Sequence, residues 1–142
     1  MMKNNHIGYT TGIFDLFHIG HLNILKRAKL NCDYLVVGVS TDELALKLKG
    51  RSPVIPFDER IEIVKSIKYV DRAVPELTAD KLEAWRDLHF NVIFKGDDWK
   101  GTVTWNQLEK DFNAVGVNVI YFPYTTTTSS TTLRGFLDKY HP

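Results

Sequence analysis

Apolar residues along this chain switch repeatedly between the spacing of a strand and that of a helix. Ile7–Thr11 is a short β-prone run. Leu22, Leu25 and Ala28 then recur at helical intervals, with Lys26, Arg27 and Lys29 between them, which predicts a helix from about Ile19. Tyr34-Leu-Val-Val-Gly-Val39 is almost continuously apolar, as expected of a strand covered on both faces. Ser40–Glu43 supplies N-cap residues for a short helix through Leu48, which Gly50-Arg-Ser-Pro53 breaks. Pro56 starts another helix, with Asp58 and Glu59 in its first turn and Ile61, Ile63, Val64 and Ile67 as its apolar positions. Tyr69–Val74, ended by Pro75, reads as a strand, Thr78–His89 as a helix and Asn91–Phe94 as a strand. Trp105–Val115 reads as a helix and Val117–Phe122 as the last strand. A threonine-serine loop, Thr125–Thr132, runs into a closing helix from about Ser130.

This alternation predicts a doubly wound, Rossmann-like α/β fold: a five-stranded parallel sheet with helices on both faces. No repeat or linker divides the chain, so residues 1–142 are expected to form a single domain. Ligands of such sheets bind beyond the carboxyl ends of the strands, where the strand order reverses. Gly12–His21, Lys95–Trp99 and Tyr124–Thr132 each follow a predicted strand, and Lys47–Arg51 follows one beyond a short helix. They are expected to converge on one edge of the sheet.

Composition narrows the classes of function. With 44% hydrophobic and 25% charged residues the chain is of ordinary globular make-up. A net charge of +1 gives no bulk attraction to nucleic acid or to an anionic membrane, so any phosphate site must be local. The single cysteine, Cys32, excludes an intrachain disulfide and suits a reducing compartment. No apolar run approaches the roughly 20 residues that span a bilayer. Met1–His6 is polar and shows no signal peptide, so a soluble cytoplasmic protein is expected.

The chemistry centres on His18-Ile-Gly-His21. Two imidazoles at a strand-to-helix turn lie where backbone N–H groups and the helix dipole favour an anion. Gly20, without a side chain, lets a ligand approach the backbone. The arrangement suits a polyphosphate; a zinc site is the competing reading, but no cysteine or strong third ligand is near. Lys47, Lys49, Arg51 and Arg60 are either solvated surface charge or phosphate contacts, and Arg60 divides between a surface ion pair and a phosphate contact. Gly96-Asp97-Asp98-Trp99 is a metal site, a turn or a base-recognition loop. Thr125–Thr132 is a polar turn with a helix cap, or a second anion site facing the first.

These residues resemble a known family. His18-Ile-Gly-His21 matches the HxGH signature of the nucleotidyltransferase superfamily. Phe14-Asp-Leu-Phe-His-Ile-Gly-His21, Tyr69-Val-Asp71, Gly96–Trp99 and Ser129–Thr132 resemble its cytidylyltransferase branch, most closely the members acting on glycerol 3-phosphate in teichoic-acid and capsule synthesis. The resemblance implies a homodimer that transfers CMP from CTP to a phosphorylated alcohol, releases pyrophosphate, and receives Mg²⁺ with the nucleotide rather than holding its own metal. It implies that His18 and His21 contact the triphosphate, while Lys49 and, less directly, Lys47 neutralise phosphate charge. Thr11, Gly12, Ile13, Phe14 and Asp15 would shape the nucleotide pocket together with Gly20 and Gly96, and Asp98 would lie by the cytosine. Tyr124, Thr125, Ser130 and Thr131 would belong to the second anion site, and Arg60 and Lys68 to the acceptor or phosphate subsite. The chain departs from the family pattern at Ile13, where a threonine is usual, and at Tyr124 and Lys68, where arginines are usual. Losing a guanidinium fork at a phosphate site is not conservative, and Arg51 or Arg134 could compensate. Leu48-Lys-Gly50 and Val92–Asp97 also resemble adenylyltransferases of the ADP-heptose type, with the FAD-forming enzymes in the same class. A CTP enzyme with another polyol or amino-alcohol phosphate, and a non-catalytic nucleotide-binding module, are the remaining alternatives.

Overall fold

A computed structural model describes residues 6–123 and 127–140. Strands β1 (Ile7–Gly12), β2 (Tyr34–Ser40), β3 (Arg72–Glu76), β4 (Val92–Gly96) and β5 (Asn118–Phe122) form one sheet in the order β3-β2-β1-β4-β5. Every pairing is parallel. The crossovers carry helices α1 (Ile19–Leu30), α2 (Asp42–Lys49), α3 (Phe57–Lys65), α4 (Lys81–Leu88) and α5 (Val103–Ala114), and α6 (Ser130–Tyr140) follows β5. Asp97–Trp99 is a single 3₁₀ turn. This is the doubly wound α/β architecture that the alternating pattern predicts.

The near-continuous apolar run of β2 has its reason in the two layers. Leu35, Val37 and Val39 face Leu25 and Ala28 of α1 and Val64 of α3. Val36 faces the opposite way, into a core with Tyr9, Trp105 and Phe112, against which Leu82, Trp85 and Leu88 of α4 pack. The strand register brings the carboxyl ends Gly12, Ser40, Glu76, Gly96 and Phe122 to one edge of the sheet. The order reverses between β1 and β4, so their ends part there and open a crevice.

Local chemistry sets the helix ends. Thr41, Asp80 and Thr102 each accept backbone N–H groups as N-caps of α2, α4 and α5. Gly50 ends α2 at φ 76°, in the left-handed region that glycine enters without strain. Two boundaries differ most from expectation. The third strand spans Arg72–Glu76, not Tyr69–Val74, and contains Pro75. It is an edge strand, where the missing N–H of proline faces away from the ladder. Asp71, expected inside that strand, instead directs its carboxylate to the Leu35 amide at 2.7 Å and to the Lys29 ammonium. The fourth helix begins at Lys81, because Asp80 rather than an earlier residue caps it.

Candidate active site

A cleft of about 570 Å³ lies over the carboxyl edge of the sheet. Each expected segment reaches it: His18 and His21 from the start of α1, Lys49 from the end of α2, Asp98 from the turn after β4, and Ser130 and Thr131 from the start of α6. Thr11, Gly12, Ile13, Phe14, Gly20 and Gly96 line it as well. The expectations for Tyr124 and Thr125 lie outside the described residues.

The two histidines cap α1 reciprocally. The Gly20 amide donates to His18 Nδ1 at 3.0 Å, and the His18 amide donates to His21 Nδ1 at 3.2 Å. Each Nδ1 therefore offers a lone pair, so each ring carries its proton on Nε2. Burial lowers the His21 pKa to about 3, with the neighbouring His18 adding to the shift and Asp15 opposing it. Burial also lowers that of His18. At neutral pH the pair consists of two neutral N–H donors, not two cations. Gly20 has a further duty beyond ligand access. A Cβ there would fall 2.8 Å from His18 Cε1, so the glycine makes room for the capping ring.

The loop before the histidines is strained and firmly held. Phe14 and Leu16 adopt φ values of 55° and 51°. Such conformations cost bulky residues roughly 1–3 kcal/mol each unless the surroundings fix them. Between them Asp15 is buried, and its carboxylate accepts from the amides of Val54 and Ile55 at 2.8 and 2.9 Å and from Arg134 Nη2 at 3.1 Å. Burial acts to raise its pKa, but those amides and the guanidinium outweigh it and hold the carboxyl below its usual range. The Asp15 carbonyl accepts from Ser130 Oγ at 2.5 Å. Asp15 thus positions the loop.

Arg60 requires a correction. It is 1% exposed, neither a surface ion pair nor a free phosphate ligand. Its guanidinium donates to the carbonyls of Ile55, Ile13 and Ser40 and pairs with Asp42 at 2.6 Å. Lys47 and Lys68 also lie away from the cleft. Lys47 borders a smaller recess beside Leu77 and Thr78. Lys68 precedes β3, at the opposite end of the strands, with its ammonium over the Tyr69 ring.

The cleft also contains Glu76 and Lys81, absent from the expected site, Lys95, expected only as the first residue of its segment, and Arg134, expected only as a stand-in for the missing arginine. Glu76 is buried at the end of β3, accepting from Ser40 Oγ at 2.9 Å and Lys81 Nζ at 2.6 Å. Lys95 ends its strand with the ammonium 4.9 Å from the centre of the Trp99 ring and 5.7 Å from that of Trp105. Burial lowers its pKa to about 8. Arg134 adds a buried Nε that has no hydrogen-bond partner among the described residues. The three-residue shift of β3 hid Glu76; a lysine closing the buried run Val92–Phe94 was the available signal for Lys95. Among the described residues no three His, Cys, Asp or Glu side chains are grouped to hold a metal ion.

A cleft lined by helix N-termini and neutral donors invites comparison with known nucleotide enzymes. A family model described as cytidylyltransferase-like matches residues 9–136. The chain belongs to the cytidylyltransferase-like family. This cytidylyltransferase-like chain is 37% identical over 126 residues to the glycerol-3-phosphate cytidylyltransferase of Bacillus subtilis (strain 168), covering 88% of this chain and 92% of that one. It is 41% identical over 100 residues to the ethanolamine-phosphate cytidylyltransferase of Dictyostelium discoideum, covering 67% of this chain but 27% of the relative. Among solved structures it resembles a lipopolysaccharide core biosynthesis protein from Thermoplasma volcanium GSS1, with a TM-score of 0.73 at 27% identity, covering 88% of this chain and all of that one. A pantoate-beta-alanine ligase from Francisella tularensis, at 16% identity and a TM-score of 0.66, shares the fold; the match covers all of this chain and 72% of that one. The family and the relatives make the cytidylyltransferase-like chain a nucleotidyltransferase. No helix among the described residues is long and apolar enough to cross a membrane.

Proposed function

We propose that this enzyme transfers CMP from CTP to glycerol 3-phosphate, forming CDP-glycerol and releasing pyrophosphate. The observation that carries the proposal is the reciprocal capping of His18 and His21, which leaves two neutral Nε2–H donors at a helix N-terminus in the cleft. The likeness to a glycerol-3-phosphate cytidylyltransferase along most of both chains supports the choice of nucleotide and acceptor.

In the reaction an acceptor phosphate oxygen, ionised at neutral pH, attacks the α-phosphorus of CTP. A new phosphorus–oxygen bond forms, the bond to the β-phosphate oxygen breaks, and pyrophosphate departs with the electron pair. No strong general base is needed. The protein supplies position and donors that face the developing charge. His18 and His21 donate from α1, and Ser130 and Arg134 approach from α6, where the orphan Nε of Arg134 offers compensation for the family arginine absent at Tyr124. Magnesium enters as the MgCTP complex, consistent with the preference of that ion for phosphate oxygens and water over a protein cage. On the same reading the enzyme works as a cytoplasmic homodimer and supplies activated glycerol phosphate for a cell-surface polymer such as teichoic acid or capsule.

Pyrophosphate release, measured with CTP and with ATP against a panel of phosphorylated alcohols, tests this. Turnover of CTP with glycerol 3-phosphate is expected. Preference for ATP and a sugar phosphate would replace it with the adenylyltransferase reading.

A further inference from the structure

The Lys95 ammonium feels the carboxylates of Glu76 and Asp98 but is in ion-pair contact with neither. It lies against the faces of Trp99 and Trp105 and makes no ion pair among the described residues. The buried Glu76 carboxylate on that side is already engaged by the Ser40 hydroxyl and the Lys81 ammonium. A partly desolvated cation lining a cleft and lacking an ion-pair contact is a place for an anion.

Geometry indicates which anion. His21 packs with Phe14 and Phe17, on the sheet face covered by α1. Trp105, beneath Lys95, belongs to the core of the opposite face. With the departing pyrophosphate held by the histidines and the start of α6, an in-line displacement brings the attacking oxygen from the far side of the α-phosphorus. Lys95 lines the cleft over Trp105, toward the sheet face opposite to the histidines, and we take that as the acceptor side. The same arrangement disfavours one class of acceptor. A pair of aromatic faces attracts an ammonium group, but here the chain's own ammonium fills the pair, and Lys81 adds like charge beside it.

We propose that Lys95 binds the phosphate of the acceptor and, by occupying the Trp99–Trp105 pair, selects polyol phosphates over amino-alcohol phosphates. The inference rests on the CTP-dependent transfer proposed above.

The test measures pyrophosphate release at saturating CTP while glycerol 3-phosphate or phosphoethanolamine is varied, for the wild type, Lys95→Met and Lys95→Arg. Lys95→Met is expected to raise KM for glycerol 3-phosphate by about 10- to 100-fold, the range for losing one charge-assisted hydrogen bond, and to leave KM for CTP within about threefold. Its preference for glycerol 3-phosphate over phosphoethanolamine should shrink at least about tenfold, and Lys95→Arg should restore much of it. Glu76 and Asp98 favour the charged lysine, whereas burial, Lys81 and Lys49 oppose it. Wild-type kcat/KM for the acceptor should therefore decline above about pH 8, and Lys95→Arg should move that decline to higher pH. An unchanged acceptor KM in Lys95→Met, a parallel rise in KM for CTP, or equal losses for both acceptors would overturn the proposal. If Lys95→Met does not fold, the shift in pH profile between wild type and Lys95→Arg decides it. Failure of the wild type to turn over CTP with any phosphorylated alcohol would refute the parent reading instead, and is read without any variant.

Discussion

His18 and His21 each commit Nδ1 to the backbone of the helix they begin, so each presents one N–H to a ligand. A single preorganised donor is worth about two to three orders of magnitude in rate. His18→Ala or His21→Ala is accordingly expected to slow single-turnover CMP transfer by about 10²- to 10³-fold; a rate within threefold of wild type would remove that residue from the chemistry. His18→Asn retains a cap acceptor but not the cleft-facing imidazole, so its thermal stability should stay near wild type while its rate falls. The histidines were legible because their spacing across a strand-to-helix turn carries its own physical meaning. Arg60 was not. Its burial depends on carbonyls of Ile13, Ser40 and Ile55, which come together only in three dimensions. The position of Lys95 at a strand end was legible, but its seat against Trp99 and Trp105 was not, since these lie in a turn and a helix beyond its strand.

At the level of elements, periodicity located all five strands, and their boundaries moved where a side chain overrode it. Asp71 bonding to Leu35 delayed β3, and the edge position of that strand admitted Pro75. The connection between α2 and α3 has no periodicity to read, yet it supplies the amides of Val54 and Ile55 that fix Asp15. Arg60 ties this connection to the ends of β1 and β2. Arg60→Met is expected to cost about 3 kcal/mol, because three carbonyls each lose a hydrogen bond worth about 1 kcal/mol. Urea denaturation measures this, and a loss below about 1 kcal/mol would show that water replaces the guanidinium without penalty. The variant should also weaken CTP binding, since the Phe14–Leu16 backbone would lose part of what holds it.

Across the whole molecule, the histidine pair makes stability sensitive to acid. Between pH 6.5 and about 3 the unfolded chain takes up a proton at residue 21 that the folded chain excludes. Stability is therefore fully present above pH 6.5 and declines as pH falls, by at most about 1.4 kcal/mol per pH unit for one proton. Asp15 contributes in the same direction at lower pH, because its depressed carboxyl favours the folded state until it protonates. His21→Asn, which retains an acceptor for the His18 amide but does not titrate, should flatten the upper part of this decline. Urea midpoints at pH 7, 5 and 4 would reveal it, and parallel profiles for the two proteins would count against a neutral His21. The bond from Ser130 to the Asp15 carbonyl reaches across 115 residues of sequence. A nucleotide held between the starts of α1 and α6 would act as a removable clasp over that span, present only in the folded chain and stabilising it in proportion to the logarithm of nucleotide concentration. It also gives the site a timetable. On the ribosome the histidines emerge early, but the opposing wall that Ser130 and Thr131 supply is not complete until α6 arrives.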